Sequence, residues 1–546
     1  LKTNLVQLGN PWDSNENDTD NRDHAVLLVE NQNGFLVKDL SVSIQNLKEA
    51  FGEQHDGFYV KGMPYYGKVD GVLINDSDNV TVENVEASGA NKAGIRFGSS
   101  YNSVSNISLP GWGRPRSVSN LIAGKAPGYT FSSLNLGENN KVLNSNTHNN
   151  RVAGVQFSYQ TNILIEGTTT SENGHKLNGS TGYGFASEAG SYNNGIVFRN
   201  NTSTYNYRKG LDIHDGDRIL IENNISYGDR LLGISVYNRN FKMENVVIRN
   251  NVVTQDKTNR LVRDDLKVDG KFTHGHDYLQ YEAIHLQTNE KSQDLSADGA
   301  VGYFEISNNR IQDLDSSGRT ATNQDYNTNA ILVRMQEPYL NYVLNIKNNQ
   351  ITGHSANDLI KMINSSNDNI RGTATLSDTS KFANGLGYGS GSINISNNKV
   401  ELEELYGDPN KDLSAITIAE STSNFNVADS KIRANQDKFR GSVVFQNNDI
   451  KVKRTFMSTR PGIIGKQKTM PIISITTNAE GILFKDNNLD FGEITQTLAK
   501  NAATQTPLIS LNGNNGTLVQ PGLGFGINTT RTPSNLPNTL SRTQPL

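Results

Sequence analysis

The run Lys209-Gly210-Leu211-Asp212-Ile213-His214-Asp215-Gly216-Asp217-Arg218-Ile219-Leu220-Ile221-Glu222-Asn223-Asn224-Ile225 holds both halves of the pattern that decides the fold. Successive strand side chains alternate between two faces, so Leu211 and Ile213 point to a core while Asp212 and His214 point away from it. The second half is an apolar-x-apolar string closed by an Asn pair. Asn tolerates the left-handed backbone and its amide can bond neighbouring backbone groups, so Asn223-Asn224 marks a sharp bend between two strands.

Both halves recur along the chain. A small residue followed by apolar-x-apolar returns as Gly94-Ile95-Arg96-Phe97, Gly128-Tyr129-Thr130-Phe131, Gly154-Val155-Gln156-Phe157, Gly182-Tyr183-Gly184-Phe185, Gly233-Ile234-Ser235-Val236, Ala283-Ile284-His285-Leu286, Ala330-Ile331-Leu332-Val333 and Ala415-Ile416-Thr417-Ile418. Between residues 80 and 255 these returns fall at intervals of about 23 to 34 residues, the period of a solenoid rung. The Asn pair returns at Asn250-Asn251, Asn308-Asn309, Asn348-Asn349, Asn397-Asn398, Asn447-Asn448 and Asn487-Asn488, with a weaker copy at Asn200-Asn201. Strand, Asn bend, strand and then a small-led strand make one coil of a parallel β-helix. Stacked rung on rung, the Asn amides are expected to form a ladder.

Composition agrees with a solenoid. Hydrophobic residues make up 35% of 546, low for a globule of this length but suited to a thin core under a large surface. A net charge of -4 points to neither nucleic acid nor an anionic membrane as partner, and no apolar run approaches the ~20 residues of a membrane span. Cysteine is absent, which removes disulfides and thiolate zinc sites. The opening Leu1-Lys2-Thr3-Asn4 has no initiator Met, and Val26 to Val29 and Phe35 to Val42 look like a rung already under way, so a longer protein is expected upstream. The reading divides the chain into N-terminal rungs and cap (1–79), a β-helix with a substrate groove (80–497) and a C-terminal cap or packing tail (498–546). Polar runs beginning at Gln255, Gln312, Ser365 and Asn424 interrupt later rungs, the first as an expected flank of the groove.

In a parallel coil, rungs lie about 4.8 Å apart and outward residues i and i+2 about 6.5 Å apart, so the outward side chains form a grid. In order it reads Arg96 and Gly98, Thr130 and Ser132, Gln156 and Ser158, Gly184 and Ala186, Asp212 and His214, Ser235 and Tyr237, then His285 and Gln287. Gly184 and Ala186 leave a gap beside Asp212 and His214, with room for a substrate. Glu188 and Asp215 join these two as candidate acids and bases, and Gln156, Tyr207, Arg208, Lys209, Tyr237, Arg239 and His285 as candidate substrate contacts. Tyrosines suit sugar rings, with an apolar face and a polar tip. Blander readings stand beside these: Asp215 and Asp217 as turn residues, Arg208 and Lys209 as solvated charges. No cofactor or metal is expected, since His274-Gly275-His276-Asp277 lacks a further well-spaced ligand.

The small-led strands, the Asn bends and Arg208-Lys209-Gly210-Leu211-Asp212-Ile213-His214 together resemble the right-handed parallel β-helix proteins that act on polysaccharides, and most of all bacteriophage tailspike depolymerases. The resemblance spans roughly residues 20 to 510 and lies in architecture and composition. It implies a homotrimer on the virion tail, or alternatively a secreted protein, that binds a bacterial capsule or O-antigen and cleaves it. Hydrolysis is the first expectation, with Asp212 and either Glu188 or Asp215 as the carboxyl pair. The alternatives are elimination or C5 epimerisation of a uronic acid, with His214 or Tyr237 as base and Arg208, Lys209 or Arg239 as cation, and a non-enzymatic adhesin. Asp212-Ile213-His214 matches the Asp-x-His spacing of secreted alginate epimerases, with Ile213 where Pro is usual and without their Gly-Gly-x-Gly-x-Asp repeats.

Overall fold

The structure, a computed structural model, describes residues 3–8, 24–45, 69–90, 92–98, 136–174, 182–188, 191, 193–238, 243–259, 267–268, 271–272, 280–288, 301–316, 327–335, 341–363, 390–406, 414–420, 441–457, 471–477, 481–496, 508–513, 517–520 and 541–542. Two compact units are present: Leu1–Met243 with Asn251–Leu279, and Glu244–Asn250 with Gln280–Leu546.

In the first unit, His24–Glu30, Val69–Asn75, Ala93–Gly98, Ala153–Phe157, Tyr183–Ser187, Lys209–His214 and Leu232–Tyr237 stack in parallel, one strand per rung. A second parallel stack completes the coil, in which Gln160–Glu166, Asn194–Arg199 and Asp217–Glu222 are each followed by a short strand beyond the bend. The second unit repeats the plan with Gln280–Gln287, Asn327–Arg334, Asp358–Ile363, Ile416–Glu420, Ile473–Thr477 and Ile509–Gly513. Its companion stack runs through Val301–Ser307, Asn341–Lys347, Ser390–Ser396 and Ser442–Gln446.

The core follows from the alternation. Ile95, Val155, Phe185, Leu211 and Ile234 sit in register on successive rungs and are all fully buried. Phe198, from the opposite stack, closes on this column with its ring centroid 6.0 Å from Phe157 and 5.8 Å from Phe185.

The small residue that leads each strand has a steric cause. Gly94, Gly154, Gly184 and Gly210 form a column in which a Cβ would meet the next glycine's carbonyl oxygen at 2.9, 2.9, 2.7 and 2.6 Å. On the inner side the same Cβ would strike Thr147, Thr170, Ser203 or Ser226. The corner is therefore closed to larger side chains in the first unit, whereas Ala283, Ala330 and Ala415 lead strands of the second unit and are buried there.

The Asn pairs divide their labour. The first member bends the chain, with φ of 56° at Asn200, 58° at Asn223 and 55° at Asn308. The second builds the ladder: Asn201 gives both its backbone and side-chain amide to Asn224 Oδ1, and Asn224 gives both to Asn251 Oδ1. In the second unit the ladder runs Asn309, Asn349, Asn398, Asn448, Asn487. At that last rung the pair expected as Asn487-Asn488 is Asp486-Asn487, because Asp486 takes the left-handed bend at φ 51°. A second ladder in the first unit, Asn150, Asn173, Asn206 and Asp229, links coils at another corner. These bonds satisfy buried backbone amides that the bends would otherwise strand.

Two register expectations are corrected. Ala153–Phe157 pairs directly with Ala93–Gly98, so Thr130 and Ser132 supply no rung between Arg96 and Gln156; Gly128 to Phe131 themselves lie outside the described residues. Ala186, not Gly184, is the neighbour of Asp212, because Phe185 takes the inward slot between Val155 and Leu211 and slides the strand by two residues.

Candidate functional site

Strict alternation would put Lys209 and Asp212 on opposite faces. At Gly210 the chain turns the corner, Gly210 facing the inner Ser226 and Asp229 side chains and Leu211 entering the core. Lys209 is thereby brought to the outer face, where its Nζ lies 2.8 Å from Asp212 Oδ1, 3.1 Å from His214 Nε2 and 3.3 Å from Ser235 Oγ. His214 Nε2 is 2.7 Å from Asp212 Oδ2. The Lys209, Asp212 and His214 side chains are all buried, Asp212 to 1% exposure.

Burial pushes the Asp212 carboxyl up, but the adjoining His214 and Lys209 and their hydrogen bonds outweigh it and hold the group well below the usual carboxylate range. Asp212 is thus an ionised residue that binds a lysine and a histidine to one spot.

His214 stands between two tyrosines. Its ring meets Tyr183 edge-on at 6.2 Å and Tyr237 at 5.7 Å, with interplanar angles of 77° and 88°. Arg208 Nη1 donates to the Tyr183 hydroxyl at 2.7 Å, and Arg208 and Lys209 lie 5.6 and 5.9 Å from the Tyr183 ring centre. Ser187 fixes the strand end, its hydroxyl accepting from His214 N at 2.7 Å and donating to His214 O at 2.6 Å.

Around this cluster, Gln156 is two rungs from Asp212 in the same column, with Ala186 between them. Gln156 Oε1 is buried and makes no hydrogen bond. Glu188 Oε1 lies 3.8 Å from Lys92 Nζ, and Arg96 is buried in an ion pair with Asp70 at 2.8 Å. The structure thus gathers Asp212, His214, Lys209, Arg208 and Tyr237, with Gln156 and Glu188 on preceding rungs.

The other expected residues have different surroundings. Asp215 is buried in the turn after the strand at φ 68°, and its backbone amide donates to Tyr237 O. Tyr207 packs with Leu231 and Leu232, and Arg230 covers its ring at 5.0 Å. His285 belongs to the second unit, where its Nδ1 pairs with Glu282 at 2.8 Å. Arg239 and His274 to Asp277 lie outside the described residues. Tyr183, Lys92 and Ser187 were not expected; a column of outward residues in the true register would have placed Tyr183 beside Lys209.

A family model described as a right-handed β-helix region matches residues 54–224 and 134–264, the part of the chain that carries this cluster. The fold is a right-handed parallel β-helix. Comparison with curated proteins found no match. A right-handed β-helix fits carbohydrate-active proteins and adhesins, and its outward face carries the His214 cluster. Among the described residues, no three His, Asp or Glu side chains come together as a metal site.

Proposed function

We propose that this β-helix depolymerises an acidic bacterial surface polysaccharide and that the His214 cluster breaks the chain at a uronic acid by elimination. The observation that carries the reading is the buried Lys209–Asp212–His214 cluster set between two tyrosines. Elimination begins with loss of the proton on C5, beside the sugar carboxylate. In this reading His214 acts in its neutral form and takes that proton, Asp212 steadying the imidazolium that results, while Lys209 and Arg208 oppose the charge that develops on the carboxylate. The C5–H electron pair forms the C4–C5 double bond, the C4–O bond breaks, and the departing oxygen takes a proton from Tyr183 or Tyr237. The Tyr183 oxygen accepts from Arg208, which leaves its hydrogen as its one donor. Asp212 holds Lys209 and His214 in register.

Hydrolysis, the first expectation, draws on Asp212 with either Glu188 on the preceding rung or Asp215 in the turn after the strand. It needs one carboxyl that keeps its proton. Asp212 is held ionised, Glu188 lies 3.8 Å from the Lys92 ammonium and Asp215 is buried in the turn, so elimination is the better supported chemistry.

As a tailspike, the chain would act as a homotrimer on the virion, outside the host cell; a trimeric mass in light scattering supports that assembly and a monomeric mass removes it. The chemistry is tested by incubating the protein with purified capsules and O-antigens and weighing the released oligosaccharides. Unsaturated products lacking the elements of water support elimination at His214. Products that have gained water overturn it in favour of hydrolysis.

A further inference from the structure

We propose that the outer face of the second unit, formed by Glu282, His285, Asn329, Asp358 and Lys361, is a second saccharide site that takes a hydroxyl-rich sugar residue. Glu282 pairs in register with Asn329, and Asn329 with Asp358, so acid, amide and acid occupy one column on successive rungs about 4.8 Å apart. In the next column His285 and Lys361 flank Leu332. The outer two rungs each carry a carboxylate and a nitrogen partner three residues on, Glu282 with His285 at 2.8 Å and Asp358 with Lys361. The middle rung carries no charge in either column.

Asn329 is the residue that points to a ligand. It is 4% exposed, and its Oδ1 makes no hydrogen bond although it is buried between the two carboxylates. A buried acceptor without a donor is costly, and a ligand donor at this point removes the cost. Asp358 already holds the Lys361 ammonium and Glu282 lies 2.8 Å from His285 Nδ1, so both carboxylates are engaged and a metal ion or polyamine would have to displace these partners. A neutral group with several hydroxyls meets the requirement: it donates to Asn329 and the carboxylates and accepts from the His285 and Lys361 side. Arg334, in the same strand as Asn329, is partly exposed and its Nε also makes no hydrogen bond, so the face opens through Arg334 and the His285 ring.

The sugar identity rests on the polysaccharide reading of the protein; the position of the site does not. The test titrates the whole chain and its Asn329→Leu and Asn329→Ala variants calorimetrically with purified neutral and acidic capsules and O-antigens. Product release by the His214 site and the melting midpoint are recorded in parallel. The expected result is affinity about tenfold weaker in both variants, with melting and product release kept. In the unsubstituted chain, bound polysaccharide is expected to slow amide exchange over residues 327–334. Unchanged affinity in a folded variant, or no slowing of exchange, overturns the site and leaves the depolymerase reading intact. Weakened binding with no product from any polysaccharide upholds the site and overturns the depolymerase. No binding by the unsubstituted chain overturns both.

Discussion

Asn206 donates its backbone amide and its side-chain amide to a single oxygen, Asp229 Oδ1, at 3.0 and 2.9 Å. Asp229 closes a ladder of amides with a carboxyl, and its other oxygen accepts from Ser226 at 2.7 Å. One rung earlier, Asn206 meets the same surroundings as an amide, donating to Ser203 at 2.8 Å.

Asp229→Asn should therefore complete the ladder rather than break it. Burial pushes the Asp229 carboxyl up to about 6, only partly offset by the hydrogen bonds from Ser226 and Asn206. A folded-state value above the unfolded 3.8 gives stability that is full below pH 4 and lost as pH rises through 6. The loss is on the order of 3 kcal/mol. The variant is expected to be at least as stable as the parent at pH 7, and the slope that Asp229 contributes between pH 4 and 6 should vanish from a plot of melting midpoint against pH. A variant that melts lower at pH 7 would sink the idea.

Asp212 works in the opposite direction. Its folded-state carboxyl is depressed, so its contribution is complete above the unfolded value near 4 and is lost as pH falls below it. Asp212→Asn leaves the buried Lys209 ammonium without a counter-ion, and denaturant unfolding at pH 7 should show a loss of about 3 kcal/mol. Changing Lys209 to Met in the same chain should restore part of it, since the stranded ammonium is then gone.

The tyrosines separate chemistry from packing. Tyr183→Phe keeps the ring against His214 and removes only the hydroxyl held by Arg208. Polysaccharide binding should persist while turnover falls by about 10²- to 10⁴-fold. Turnover equal to the parent in Tyr183→Phe would assign the donor role to Tyr237.

The glycine column gives a steric contrast. An added Cβ at Gly184 would sit 2.5 Å from both Ser203 Oγ and Thr170 Oγ1 and 2.7 Å from Gly210 O, so Gly184→Ala should cost about 1–3 kcal/mol or more. At Gly98 the nearest atoms are the ends of the Arg96 and Asn75 side chains, at 3.1 and 3.2 Å, which need give only a few tenths of an ångström. Gly98→Ala should stay within about 1 kcal/mol of the parent.

Much of the coil could be read from residue order, because its two recurring signals each have a local cause. The small lead residue reflects a corner that excludes a Cβ, and the Asn pair reflects a left-handed bend followed by a bridging amide. Asp212 and His214 were visible for the same reason, as polar positions alternating with Leu211 and Ile213. Lys209 as their partner was hidden by the turn at Gly210, which suspends the two-residue period. Tyr183 was hidden by a slide of two residues: Tyr183 and Phe185 are both aromatic, and only the neighbouring Val155 and Leu211 decide which one enters the core. Lys92 reaches Glu188 from far away in the chain, a contact that no local pattern encodes.

The amide ladder also has a direction. From Asn309 to Asn448 each member gives two protons to the oxygen of the member that follows it in the chain. A nascent coil leaving the ribosome therefore always ends in a pair of open donors, and each arriving rung closes the pair left by its predecessor. Removing the last rung would strand two donors, whereas removing the first would leave a single acceptor oxygen idle, so such a coil is built to be extended in the order in which it is translated.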